Sequence, residues 1–105
     1  MSESLPSPTL YQVNCSERVR QELHSFTNAA LEHGFGPEYL AGLKEIGRRL
    51  RIYPQFGEPL ADLQLKPAQL WIGAVWPLVL RYTLDEERHL IWVVASFLLV
   101  PSHGT

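Results

Sequence analysis

Apolar residues keep a helical spacing through the first half of the chain and a strand-like alternation through the second. Ahead of the helical part, Thr9-Leu10-Tyr11-Gln12-Val13 alternates and is rich in strand formers, which predicts a short strand. Asn14 is then placed to cap a helix, with Glu17 three residues on completing a capping box. Val19, Leu23, Phe26 and Ala30 follow at offsets of four, three and four, one apolar stripe on a helix running to about His33 and ended by Gly34. Gly36-Pro37 opens a second helix, because proline in the first turn gives up no needed donor. Leu40, Leu43, Ile46 and Leu50 carry its apolar face, and Pro54 stops it. Gly42 and Gly47 inside it each cost about 1 kcal/mol relative to alanine; close approach to the sheet or to the other helix is the expected reason.

Beyond the loop Pro54–Pro59 the period changes. Leu60–Leu65 is a strand candidate, Lys66-Pro67-Ala68 a turn, and Leu70–Val75 a further strand in which Gly73 suggests a bulge. Pro77 belongs at a turn or strand start. Leu78–Leu84 places Leu78, Leu80, Tyr82 and Leu84 on one face and Val79, Arg81 and Thr83 on the other. The charged turn Asp85-Glu86-Glu87-Arg88 leads into a last apolar strand, His89–Leu99. Such short turns join antiparallel neighbours. The expected fold is therefore α+β: an N-terminal strand and a two-helix hairpin packed on a C-terminal antiparallel sheet of three to four strands. Leu23, Phe26, Leu43, Ile46, Leu50, Leu80, Tyr82, Trp92 and Val94 are expected to share its core. Residues 1–8 read as a disordered Pro/Ser-rich tail, 9–100 as one domain and 101–105 as a frayed C-terminal tail.

With 46% hydrophobic and 19% charged residues over 105 positions, the chain has the make-up of a globular domain. Nine basic and eleven acidic residues give a net charge of −2. That balance disfavours nucleic-acid binding over the whole surface while leaving a local basic patch open. The single Cys15 forms no internal disulfide, which suits a reducing, cytoplasmic setting. The N-terminus lacks the basic start and apolar core of a signal peptide. The apolar runs Leu70–Leu80 and Leu90–Val100 fall short of the roughly 20 residues that span a bilayer, so no membrane association is expected.

There is no Gly-rich phosphate loop, His-Glu-x-x-His, cysteine pair or Gly-x-Ser-x-Gly. His24, His33, His89 and His103 lack metal-ligand spacing, so neither a metal nor a small-molecule cofactor is expected. Cys15, beside a helix start, reads either as an activated thiol or as a small half-buried hydrophobe. Arg48, Arg49 and Arg51 form the densest basic cluster. They serve either to complement the helix's C-terminal dipole or as a phosphate-contacting patch. Arg81 interrupts an apolar strand. Its readings are a solvent-facing charge, a cross-strand partner for an acid, or an anion contact on an exposed sheet face. Trp71, Trp76 and Trp92 are candidate interface anchors or core residues.

The order of strand, helix hairpin, Phe56-Gly57-Glu58-Pro59-Leu60 loop, Pro77–Asp85 strand and final apolar strand resembles the RelE/ParE toxins of bacterial type II toxin–antitoxin pairs. The resemblance covers roughly Leu10 to Val100. It implies a toxin-like protein that inhibits growth either as a ribosome-dependent mRNA endonuclease or by binding a target such as gyrase, and that is held by an antitoxin-like protein. Arg81 and Tyr82 stand near the positions of the family's strand Arg and Tyr and are the implied catalytic candidates. Arg48, Arg51 and Lys66 are the candidate RNA or anion contacts. The strand Leu70–Val75 carries no basic residue where the nucleases place one, and Pro101–Thr105 lacks their usual catalytic side chains. The alternative implied by these departures is a non-enzymatic protein-interaction module of the same fold.

Overall fold

A computed structural model describes residues 10–65 and 68–101. The chain runs β1 (Gln12–Cys15), α1 (Glu17–Glu32), α2 (Gly36–Ile52), a short 3₁₀ turn at Pro54–Phe56, β2 (Glu58–Leu65), β3 (Ala68–Val75), β4 (Leu78–Asp85) and β5 (Leu90–Leu98). The class is α+β, as the spacing predicts. The sheet, however, has five strands in the order β1-β5-β4-β3-β2 and is mixed. β1 joins it in parallel beside β5, with Gln12 opposite Leu90 and Cys15 opposite Val93, whereas the other three pairings are antiparallel. Of the expected turn Lys66-Pro67-Ala68, Ala68 is the first residue of β3, while Lys66-Pro67, the expected tail over residues 1–8 and most of the tail 101–105 lie outside the described residues.

The first helix starts two residues later than its capping pattern suggests. Asn14 stays in β1, paired opposite Trp92. Ser16 is the cap instead, its hydroxyl accepting from the Val19 amide at 3.2 Å. Such a cap is worth about 1 kcal/mol. The helix ends as Gly34 predicts. Gly34 takes a φ of +81°, its amide bonds the Leu31 carbonyl at 3.2 Å, and the Phe35 amide reaches back to Ala30 at 2.9 Å. This double closure satisfies carbonyls left open at a helix end and turns the chain directly into α2. The Tyr39 hydroxyl, buried on α2, donates to the Leu23 carbonyl at 2.7 Å and ties the hairpin together. Burial raises the Tyr39 phenol's pKa.

Both helices lie on one face of the sheet. Val19, Ala30, Tyr39, Ile46 and Leu50 pack on Leu78, Leu80, Tyr82, Leu84, Ile91 and Val93. Leu23, Phe26 and Leu43 are half-buried at the margin of this core. Each large aliphatic side chain so buried stabilises the fold by about 1.5–3 kcal/mol. Two residues expected in the core are not there: Trp92 and Val94 are exposed on the far side of the sheet. A register shift in the β4–β5 ladder explains it. Arg81 pairs with Ala95 while Tyr82 pairs with Val93, so Val94 is an extra residue. Ile91, Val93, Ser96 and Leu98 face the helices, and Trp92 and Phe97 face away.

The two helical glycines separate in their roles. A Cβ on Gly42 would meet the backbone carbonyl of Trp76, so α2 sits directly on the β3–β4 turn, which is the close approach expected. A Cβ on Gly47 would meet only the Arg51 guanidinium at 3.8 Å, so no close approach explains it. Gly73 marks no bulge in the β3–β4 ladder, whose register is continuous. A Cβ there would lie 2.7 Å from the Phe56 ring, so Gly73 makes room for that ring beneath the sheet.

Candidate functional site

Because the helices cover one face, every second residue of β3, β4 and β5 is left on the other, and antiparallel pairing lines these residues up in rows. The middle row runs Glu58, Ile72, Arg81, Ala95 across β2 to β5. One neighbouring row is Leu70, Thr83, Trp92, extended onto β1 by Asn14. The other is Ala74, Val79, Phe97. Trp92 and Phe97 remain 44% and 45% exposed. Among the described residues the result is an apolar and aromatic surface on which Trp92 and Phe97 stand open and Leu70 is buried, with one cation, Arg81, at its centre on the middle strand.

Arg81 is exposed and makes no ion pair among the described residues. Its guanidinium lies 5.9 Å from the centre of the Phe97 ring. That contact orients the charge without neutralising it. Tyr82, the adjacent residue, is on the opposite face with no exposed surface. Its hydroxyl donates to the Pro54 carbonyl at 2.6 Å. Burial raises its pKa well above the ordinary tyrosine value, opposed by a backbone hydrogen bond from Gly57. The two candidate catalytic side chains therefore stand on opposite sides of the sheet, and Tyr82 anchors the 3₁₀ turn to the core.

The basic cluster on α2 is largely neutralised from within. Glu45 accepts from Arg48 Nε at 3.0 Å and Nη2 at 2.7 Å, and from Arg49 Nε at 2.8 Å. These hydrogen bonds from Arg48 and Arg49 bring the Glu45 pKa down to about 2. Arg49 also lies over the Phe56 ring at 5.5 Å. Arg51 is exposed in the last turn, where a cation meets the negative end of the helix dipole. All three belong to the helix layer, away from the Arg81 face. Lys66 lies outside the described residues.

Where β2 begins, Phe56, Gly57, Glu58, Ile72, Gly73, Ala74 and Val79 line an open cavity of about 330 Å³. Among the described residues its lining is mostly apolar, with Glu58 as the one ionisable side chain. Of the tryptophans, Trp71 packs against the core, Trp92 lies on the open face, and Trp76 is exposed at the β3–β4 turn. Phe97 is the residue that strand spacing alone passes over. Its partnership with Arg81 follows from the β4–β5 register, which an unbroken apolar run does not disclose. No helix among the described residues is long and apolar enough to cross a membrane, and no group of three or more His, Cys, Asp or Glu among them could hold a metal ion. No protein-family model, curated protein or solved structure matches the chain.

Proposed function

We propose that the chain is a non-enzymatic protein-interaction module of toxin-like, RelE/ParE-like architecture, whose outer sheet face takes a polypeptide partner of the antitoxin kind. The make-up of that face supports the reading. It leaves two large aromatic side chains half exposed on rigid strands, and buried aromatic anchors dominate the energetics of protein interfaces. Acid–base cleavage of RNA needs groups within hydrogen-bond reach of the reacting atoms. The described cross-strand neighbours of Arg81 are Ile72 and Ala95, neither of which titrates.

One observation favours a second reading, a toxin that cleaves mRNA: Arg81 stands exposed at the centre of the face and pairs with no acid among the described residues. A fixed guanidinium there would stabilise charge developing at a scissile phosphate, a contact typically worth about 10²–10³ in rate. Induction in bacterial cells separates the two. Under the interaction-module reading the parent protein alone does not slow growth, and co-expression with the product of the neighbouring gene gives a single complex on size exclusion. Growth arrest by the parent that Arg81→Ala abolishes, at an unchanged melting temperature, would replace this reading with the nuclease. Separate elution of the two proteins at micromolar concentration would count against the partner.

A further inference from the structure

Covering the outer face with an apolar partner takes Arg81 out of water, because the guanidinium rises from the middle strand between the rows that hold Trp92 and Phe97. A charge buried in that way is strongly unfavourable unless an opposite charge meets it. The described acids of the same face are poorly placed to do so. Asp85 is buried in the β4–β5 turn, where it accepts from the Arg88 amide at 3.1 Å. Glu58 lies in the Arg81 row with Ile72 between them, two strand spacings or about 10 Å away. Phe97 orients the guanidinium and leaves its charge unmet.

We infer that the segment seated on this face is an apolar peptide carrying one aspartate or glutamate, whose carboxylate pairs with Arg81 while neighbouring apolar side chains cover Trp92 and Phe97. The inference rests on the interaction-module reading above and adds the chemistry of the partner. A second copy of this chain does not fit. Packing the face on itself about a two-fold axis at the middle strand sets the two Arg81 side chains against each other. Single-stranded RNA fits less well, since such sites track the phosphates with several cations, and this face offers one among the described residues of a chain with net charge −2.

The test is selection from a random peptide library displayed on phage, panned on the folded parent and on Arg81→Glu. On the parent, peptides with one acidic residue among apolar ones should be enriched; on Arg81→Glu, the acid should give way to lysine or arginine. A synthetic peptide of the parent consensus should bind Arg81→Ala about 30-fold more weakly or worse. It should also lose affinity for the Trp92→Ala/Phe97→Ala double variant, with melts confirming that each variant is folded. Peptides that depend on Trp92 and Phe97 but show no acidic enrichment, or that bind Arg81→Ala as well as the parent, would overturn this inference and leave the interaction module standing. Selection of no peptide that depends on those aromatics would overturn both. A labelled single-stranded RNA oligomer that displaces the peptide and needs Arg81 would put RNA in the peptide's place.

Discussion

Arg81 and Tyr82 are neighbours in sequence, yet they live in different solvents. Tyr82 and its alternates Leu80 and Leu84 are at most 3% exposed, pressed between the sheet and two helices. Arg81 and its alternates Val79 and Thr83 face outward, beside aromatic rings that no element of the described chain covers. One strand thus carries two unlike environments in alternate positions. On the inner side every atom has a neighbour, so shape decides what is allowed. On the outer side shape is nearly free, and the exposed aromatic surface is the part that the proposed partner would cover.

Truncating the inner side gives the largest expected effect. Tyr82→Ala should cost about 3–5 kcal/mol in urea unfolding, from the lost ring and the lost bond to Pro54. A cost below 1 kcal/mol would mean that the inner face is not the tightly packed one. Next come two identical changes of opposite sign. Gly42→Ala should destabilise by about 1–3 kcal/mol because the methyl group meets the Trp76 backbone, which cannot swing aside. Gly47→Ala has open space and should stabilise by about 1 kcal/mol through helix preference alone. Equal melting temperatures for the pair would refute the close seating of α2 on the β3–β4 turn.

Tyr82→Phe keeps the ring and removes only the hydroxyl, so about 1–2 kcal/mol should be lost at neutral pH. Because the folded Tyr82 phenol has a raised pKa, its contribution is complete below the unfolded value of about 10 and fades as the pH climbs beyond it. The parent should therefore lose more stability than Tyr82→Phe between pH 10 and 12, the slope from Tyr39 being common to both. At the acid end the sign reverses. Glu45 has its pKa lowered to about 2 by Arg48 and Arg49, so its contribution is present above the ordinary carboxylate range and is lost as the pH falls toward 2. Glu45→Gln should flatten that part of the stability profile by a small amount, since the cluster is solvent-screened. Smallest of all is Arg81→Ala, which should leave the melting temperature within the equivalent of about 0.5 kcal/mol. A larger loss would place Arg81 in a structural role.

Much of the architecture was legible because the helical stripe and the alternation of β4 each bind a period to a buried face. Val19 and Ala30 are buried as their spacing requires, and Leu78 through Leu84 alternate as written. Where the pattern is silent, side-chain placement depends on non-local pairing. Leu90–Leu98 is apolar at nearly every position, so its faces are set by pairing with β4 and by one extra residue, neither of which is local. Apolar character alone sends Trp92 and Val94 to the core, where they are not, and does not single out Phe97. Asn14 is a good cap by type, but its place opposite Trp92 holds it in the strand and passes the cap to Ser16. The separation of Arg81 from Tyr82 was readable, because alternation alone sends them to opposite faces. The pairing of Glu45 with both Arg48 and Arg49 was readable too, from their spacing of three and four on a helix.

The parallel seam between β1 and β5 has a consequence for the order of events during synthesis. β1 leaves the ribosome before every other element of the fold, and the strand it must lie against leaves after all of them. Until then Val13, Cys15 and the apolar stripe of α1 have only part of their eventual cover. Contacts that join such distant segments form late and slowly, and they leave apolar surface open to chaperones and proteases in the interval. A nascent chain stalled before Leu90 would thus be not a slightly smaller version of the protein but a substrate for quality control.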